Sequence, residues 1–164
     1  NAVLILGKTE GHLDQSIFAK EILTEKKGPP PSINLFNEKN IGETILKLID
    51  QNLIDACHDV SLGGILIAIS KMCIKGKKGI KINPIKGLIN KFEYFFAEDQ
   101  GRYVIELSNK NLEKAKQILE KNSVHYDEIG TVDESKIIFN NKINLSVDEL
   151  ENEYKTWLKK YMVN

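Results

Sequence analysis

The sequence predicts an α+β domain in which a mixed β-sheet is covered by helices. Short runs of strong β-formers, such as Tyr103–Leu107, are typical of strands. Longer segments, such as Asn109–Lys121, place apolar residues at helical spacing. The order of these segments is the third observation, because it mixes helices with pairs of strands. Together they favour one sheet packed against helices.

The size and charge of the chain limit its function. A chain of 164 residues is long enough for one domain with a sizeable core. Its 23 Lys and Arg residues balance 23 Asp and Glu residues, so the formal net charge is zero. A neutral chain gives no electrostatic reason to bind nucleic acid or an anionic membrane. No apolar stretch approaches the roughly 20 residues needed to span a bilayer. We therefore expect no nucleic-acid partner and no membrane partner.

The first third of the chain predicts one strand and two helices. Ala2–Leu6 is apolar and predicts a buried strand that ends at Gly7. Gln15–Thr24 predicts a short helix, which the Pro29–Pro31 run cannot continue. Glu38–Gln51 predicts a helix, because four of its apolar residues share one face. These residues are Ile41, Ile45, Leu48 and Ile49.

The middle third predicts strands and helices around two polar segments. Leu53–Cys57 and the alternating Gly79–Ile82 predict strands. Gly64–Lys75 predicts a helix, and Pro84–Lys91 predicts a short one. The strand Tyr103–Leu107 then follows a polar cluster.

The helix Asn109–Lys121, capped by Ser108 or Asn109, opens the last third. Val124–Val132 predicts a strand with a kink or bulge at Gly130. Lys136–Phe139 and Lys142–Leu145 predict a hairpin around Asn140-Asn141, because Asn tolerates positive φ.

The final helix is predicted to begin at Ser146 and to run to about Lys160. Glu149 follows Ser146 by three residues, which is the pattern of a capping box. The apolar stripe of this helix consists of Leu150, Tyr154, Trp157, Leu158 and Tyr161. The stripe is interpreted either as part of the core or as an interface with a missing part of the chain.

The termini and the cysteines indicate a domain of a larger cytoplasmic protein. Asn1 is not a Met and leads directly into an apolar run, so we expect a fragment of a longer polypeptide. The other end, at residues 159–164, is typical of a natural terminus, so residues 1–164 are expected to form a single C-terminal domain. Cys57 and Cys73 lie in apolar runs and are predicted to be small buried residues. Two separated cysteines without metal-ligand spacing suit a reducing compartment.

The segment from His58 to Gly64 is the first candidate site. Polar residues and paired glycines between a strand and a helix are a common way to build a ligand-facing turn, since glycine lets a ligand approach the backbone. The alternative is that the glycines only turn the chain. The residues of interest are His58, Asp59, Ser61, Gly63 and Gly64.

The second candidate site is the polar cluster from Glu98 to Arg102. Two carboxylates beside an arginine can form a structural ion-pair turn. They can also hold a hydroxylated, nitrogen-rich ligand, because carboxylates accept from sugar hydroxyls and arginine binds phosphate in a forked geometry. The ligand-binding candidates here are Glu98, Asp99, Gln100 and Arg102.

No pattern in the sequence identifies a catalytic or metal site. The three histidines lie in no arrangement of nucleophile, base and orienting group, and no metal-ligand spacing is present. The sequence has no glycine-rich loop followed by a lysine, so it does not predict a nucleotide-binding P-loop.

The two candidate segments together resemble a known family. In order and at their separation, Leu53–Gly64 and Phe96–Ile105 resemble the C-terminal domain of aminoimidazole ribonucleotide synthase-related proteins. Within that superfamily they are most similar to the phosphoribosylformylglycinamidine synthases. Leu4–Gly7, Gly28–Pro30 and Asn34–Glu38 fit the same pattern.

The resemblance implies a part of an ATP-dependent enzyme of purine biosynthesis. That enzyme converts formylglycinamide ribonucleotide to its amidine with ATP, Mg²⁺ and ammonia from a glutaminase. The implied partners are the N-terminal remainder of the polypeptide, the glutaminase and the ribonucleotide substrate. The family's general base and most of its magnesium ligands belong to segments outside this chain. We therefore expect no catalytic residue, no metal ligand and no cofactor in the fragment alone, and a cytoplasmic location.

The resemblance also implies an enzyme built of two similar halves, with this chain in the second. Two departures from the family pattern favour a half that is not catalytic. Leu62 stands where an acidic residue is usual, and Leu13–Ser16 stands where a glycine-rich stretch is usual. The cleft would then be a degenerate site that holds a structural nucleotide. Two alternatives stay open: a structural packing module, and a sibling enzyme. The siblings are aminoimidazole ribonucleotide synthase, selenophosphate synthetase, thiamine-monophosphate kinase and a hydrogenase maturation protein.

Overall fold

A computed structural model describes residues 1–25, 27–85, 89–140 and 143–163. Within these ranges the chain forms one seven-stranded sheet and six helices, which confirms the α+β class. The strands are β1 (Ala2–Leu6), β2 (Ala56–Asp59), β3 (Gly79–Ile82), β4 (Tyr103–Leu107), β5 (Tyr126–Asp133), β6 (Lys136–Phe139) and β7 (Ile143–Ser146). The helices are α1 (Ile17–Glu21), α2 (Leu35–Asp50), α3 (Gly64–Gly76), α4 (Lys91–Phe96), α5 (Asn109–Lys121) and α6 (Val147–Val163).

The sheet is mixed and has β1 near its middle. The strand order is β2-β4-β1-β5-β3-β6-β7, with β3 and β6 parallel and the other described pairs antiparallel. All five residues of β1 are buried, because helices cover both faces of the sheet. The register of β5 against β1 shifts between Gly130 and Glu128, so the irregularity predicted at Gly130 is confirmed.

Two apolar clusters lie on opposite faces of the sheet. Val3 and Ile5 join the cluster that includes residues of α3 and α4. Leu4 and Leu6 point to the other face, where residues of α2 and α5 complete the second cluster. This alternation is the period-2 geometry of a strand.

The second strand differs from its prediction over Leu53–Cys57. Leu53 donates its N–H to the carbonyl of Leu48 and packs in the core, so it closes α2 instead of starting a strand. Pairing with β4 begins at Ala56 and ends at Asp59. This displacement leaves Cys57 exposed on an edge strand, so its predicted burial is wrong, whereas Cys73 is buried as predicted.

Three helix boundaries also differ from the predictions. Helix α1 covers only Ile17–Glu21 of the predicted Gln15–Thr24. Helix α2 begins at Leu35, earlier than predicted, because the Asn34 side chain accepts from the Asn37 N–H at 3.0 Å. Helix α6 continues to Val163, past the predicted end near Lys160.

The helix predicted at Pro84–Lys91 lies partly outside the described residues, at 86–88, and of its described part only Lys91 is helical. A helix begins instead at Lys91, because Asn90 and Glu93 form a capping box.

The strand pairing of the predicted hairpin is confirmed by β6 and β7. Asn140 has a φ of +49°. The second turn residue, Asn141, lies outside the described residues. Strand β5 starts at Tyr126, two residues later than predicted.

The last helix starts in the core and then leaves it. Val147 is buried, and Leu150 packs against the cluster beneath α3. The rest of the stripe is exposed, so its interpretation as core is wrong for those residues: Tyr154, Trp157, Leu158 and Tyr161. None of the helices in the described ranges is both long and apolar enough to cross a membrane.

Candidate functional site

Arg102 is the centre of the second candidate segment. It lies just before β4 and is 1% exposed. Its Nη2 donates to the Ala97 carbonyl at 2.6 Å, its Nε to the Asp99 carbonyl at 3.2 Å, and its Nη1 to Thr9 Oγ1 at 3.1 Å. Burial lowers the pKa of the guanidinium, and the Asp99 carboxylate opposes that shift. These bonds direct Arg102 into the protein, where it joins the turn at residues 97–99 to the loop after β1.

The Asp99 carboxylate binds the loop between β1 and α1. Oδ2 accepts from the N–H groups of Glu10 at 3.0 Å and Gly11 at 3.1 Å, and Oδ1 accepts from the N–H of His12 at 3.1 Å. Arg102 Nη1 lies 3.7 Å from Oδ2. Successive N–H groups that converge in this way form an anion-binding nest. An internal carboxylate, 6% exposed, occupies this nest.

Glu98 connects the two candidate segments. Its Oε1 accepts from the N–H of Gly63 and from the N–H of Ile17, both at 2.8 Å. Ile17 begins α1, and Gly63 precedes α3, so the carboxylate lies at two helix N-termini. A negative charge is stabilising there because the first N–H groups of a helix are unpaired.

Gln100 faces outward beside this network. Its amide nitrogen lies 3.4 Å from the Glu98 carbonyl, and its side chain is exposed. The next residue, Gly101, has a φ of +66°. The backbone approaches Gly7 so closely that a Cβ on Gly7 would lie 2.3 Å from the Gly101 oxygen. The turn at Gly101 therefore packs directly against the backbone at the end of β1.

The structure divides the first candidate segment between a strand and a turn. His58 and Asp59 belong to β2 instead of the predicted turn, and His58 Nδ1 donates to the Asp59 carbonyl at 2.6 Å. Ser61 is exposed, and its carbonyl accepts from the N–H of Gly64 at 3.0 Å. Gly64 has a φ of +71°, and a Cβ there would lie 2.6 Å from the Phe95 oxygen. Gly64 is therefore needed for packing against α4.

An open cleft of about 730 Å³ lies beside the second segment. It is bounded by the loop after β1, the start of α2, the turn at residues 99–101 and residues 123–125. Asp99 and Gln100 line it, whereas the residues of the first segment do not. The two segments are thus neighbours through Glu98 but do not face one cavity.

Several cleft residues were not among the sequence candidates. They are Lys8, His12, Asn34, Asn37, Asn40 and His125. His12 Nε2 donates to the Pro29 carbonyl at 2.9 Å, and His125 Nε2 lies 3.3 Å from Asp127 Oδ2. The signal that could have found them is a strand ending in glycine, followed downstream by a helix start rich in asparagine. Amides, imidazoles and an ammonium suit a ligand with many hydrogen-bonding groups.

The described residues do not fit a metal ion. They contain no group of three or more His, Cys, Asp or Glu side chains arranged to hold one. Glu98 and Asp99 accept backbone N–H groups instead.

Comparisons with known proteins agree with this fold. The model of the family described as "AIR synthase related protein, C-terminal domain" matches residues 1–139. The PurL subunit of phosphoribosylformylglycinamidine synthase from Pelagibacter ubique is 60% identical over 164 residues, which are 100% of this chain and 22% of that protein. The PurL subunit from Bartonella henselae is 35% identical over 162 residues, which are 99% of this chain and 22% of that protein. The chain thus spans 22% of the length of both relatives.

Solved structures share the fold. Thermotoga maritima PurL complexed with FGAR has a TM-score of 0.71 at 23% identity, over 92% of this chain and 27% of that chain. Thiamine-monophosphate kinase from Stenotrophomonas maltophilia has a TM-score of 0.54 at 12% identity, over 82% of this chain and 48% of that chain. The same fold therefore occurs both in a PurL protein and in a thiamine-monophosphate kinase.

Proposed function

Since the chain belongs to the family of AIR synthase related proteins, C-terminal domain, we propose that it is the C-terminal domain of a phosphoribosylformylglycinamidine synthase. The end-to-end match to PurL of Pelagibacter ubique at 60% identity is the observation that carries this proposal. The intact enzyme makes formylglycinamidine ribonucleotide from formylglycinamide ribonucleotide, ATP and ammonia. It is an ATP-dependent carbon–nitrogen ligase of purine biosynthesis, and it works in the cytoplasm.

In this proposal the domain forms one side of the ligand-binding cleft of the enzyme and does not supply the groups that react. Glu98, Asp99 and Arg102 fix the loops around the cleft through bonds to backbone atoms. Gln100 lines the cleft with an exposed amide and is the member of this segment best placed to contact a ligand. His58, Asp59, Ser61, Gly63 and Gly64 stay ligand-binding candidates at the neighbouring sheet edge.

Magnesium belongs to the rest of the polypeptide in this proposal. Mg²⁺ prefers carboxylate oxygens and water in octahedral geometry. The carboxylates of the second segment are bonded to backbone N–H groups, and the described residues hold no metal-binding cluster. The glutaminase that supplies ammonia and the ribonucleotide substrate are partners of the intact enzyme.

A structural packing module with a degenerate nucleotide cleft is the second candidate. The Asp99 carboxylate favours it, because it occupies the N–H nest that a phosphate group would otherwise use. A sibling enzyme is less well supported, since thiamine-monophosphate kinase shares only 12% identity with this chain.

Amidine formation by two purified proteins tests the proposal. The full-length polypeptide is supplied with formylglycinamide ribonucleotide, ATP and an ammonium salt, and the 164-residue chain is assayed alongside it. We expect ATP-dependent product from the full-length protein only, because the family resemblance implies that the general base lies outside this chain. Circular dichroism establishes that the short chain is folded. Amidine formation by the short chain, or none by the full-length protein, contradicts the proposal.

A further inference from the structure

Helix α6 projects from the domain after its first two turns. Glu151 bonds to Lys77, the residue after α3, and its other oxygen lies 2.5 Å from Lys155 Nζ. From Tyr154 to Val163, every residue except Thr156 is exposed. The first part of α6 is therefore fixed to the sheet, and the remainder extends into solvent.

The projecting part continues the apolar face of the fixed part. Tyr154, Trp157 and Tyr161 follow Leu150 at spacings of four, three and four residues, so they lie on one side of the helix. Trp157 is 55% exposed and Tyr161 is 76% exposed. Trp157 is the one tryptophan of the chain. Trp and Tyr are the residue types that most often anchor protein interfaces, so this aromatic face is suited to a partner.

The family match separates this helix from the common domain. The family model ends at residue 139, before β7 and α6. The match to PurL of Pelagibacter ubique continues through all 164 residues. Helix α6 is thus included in the match to this PurL, a protein of which the matched region is 22% of the length. It lies outside the region that the family model covers.

Charge argues against a second copy as the partner. The projecting half carries Lys155, Lys159 and Lys160 and no acidic residue of its own, and Lys155 and Lys160 pair with Glu151 and Glu153 of the fixed half. An antiparallel pair of the projecting halves would therefore bring two segments of net positive charge together. A groove with an acidic rim complements the face better. A tethered domain also meets the helix at a high effective concentration.

We propose that Tyr154, Trp157 and Tyr161 dock into an apolar groove with an acidic rim on another domain of the same polypeptide. The proposal rests on the proposed function only in taking the chain as part of a longer synthase. A segment docked in this way is protected from solvent exchange, whereas a projecting helix of ten residues is marginal in water.

Hydrogen–deuterium exchange of the full-length polypeptide tests the docking. Amides of residues 154–163 are expected to exchange at least about tenfold more slowly in the wild type than in the Trp157→Ser, Tyr161→Ser double variant. Both positions are exposed within this domain, so the variant keeps the domain fold. Val163→Ser is the matched control, because Val163 is exposed and lies outside the face formed by Tyr154, Trp157 and Tyr161; it is expected to leave the exchange rate unchanged.

Equal exchange rates in the wild type and the double variant would overturn the docking proposal, and so would a control variant that raises exchange as much as the double variant does. The proposal is also overturned if protection rises with protein concentration, or if it appears only after a second protein is added. Amidine formation by the wild type is measured on the same preparation. Activity without protection removes the docking proposal alone, and protection without activity removes the proposed function alone.

Discussion

The Asp99 carboxylate is the contact on which the shape of the cleft depends most directly. We predict that Asp99→Asn destabilises the domain and loosens the loop between β1 and α1. The amide would keep one acceptor oxygen but would turn an NH₂ group toward N–H donors. At least one of the N–H groups of Glu10, Gly11 and His12 would lose its partner.

The expected loss follows from two contributions. A hydrogen bond to a charged group contributes about 1.5–3 kcal/mol, and a buried donor left unpaired costs about 1–3 kcal/mol. Arg102, which is 1% exposed, would also lose the charge 3.7 Å from its Nη1. Water in the open cleft can solvate part of the loop, which reduces the loss. We expect the free energy of unfolding to fall by about 3 kcal/mol, a large fraction of the 5–15 kcal/mol typical of a domain.

Urea denaturation followed by circular dichroism measures this change. Asp50→Asn is the matched control, because Asp50 is an exposed carboxylate at the end of α2. Exposed substitutions of this kind usually change stability by less than about 0.5 kcal/mol. A loss below about 1 kcal/mol for Asp99→Asn, or an equal loss for the control, refutes the role of Asp99 in holding the loop.

Four further predictions concern other residues. Gly64→Ala is expected to lower the free energy of unfolding by more than about 2 kcal/mol in urea denaturation, since its φ is +71° and a Cβ would meet backbone oxygen. Gly42→Ala, which meets nothing within 4 Å, is expected to raise it by up to about 1 kcal/mol. Burial raises the pKa of the Cys73 thiol to about 11, so alkylation by iodoacetamide at pH 8 is expected to be roughly 100-fold slower than for a free cysteine, and to accelerate as the pH approaches that value. Glu98→Ala and Arg102→Ala in the full-length enzyme are expected to lower the Tm or the bound nucleotide more than kcat.

The results that contradict these predictions are equally specific. Equal urea midpoints for Gly64→Ala and the wild type would remove the packing argument at the start of α3. Alkylation of Cys73 at the rate of a free thiol would show that it is accessible and ionised. Near-complete loss of turnover in Glu98→Ala, with stability and nucleotide intact, would contradict the positioning role of Glu98.

Local chemistry was sufficient to predict several strands and helices. Ala2–Leu6, Gly79–Ile82 and Tyr103–Leu107 have their predicted bounds, because apolar and β-branched runs bounded by polar residues or glycine leave little choice. Helix α5 also has its predicted bounds, since its apolar face is regular. The helix at Lys91 was missed although its capping box is visible in the sequence.

Tertiary contacts account for the errors. Leu53 and the residue after it are apolar enough for a strand, but Leu53 packs beneath α2 in the second cluster. No local pattern shows that pairing with β4 begins at Ala56. The same limit applies to the site, because the bonds of Glu98 and Asp99 join segments far apart in sequence. The sequence indicated that polar side chains cluster at residues 98–102. The atoms that these side chains contact could not be predicted, because the sheet brings those atoms in from distant parts of the chain.

The bonds of Asp99 also bear on how the cleft arises during folding. Asp99 and its three donors are separated by 87 to 89 positions in the chain. Closing a loop of that length is entropically costly until β1 and β4 have paired. We therefore expect the loop to take its shape late, together with the sheet. A transplanted segment 7–12 would not keep its form in another protein, because the carboxylate that defines it comes from elsewhere.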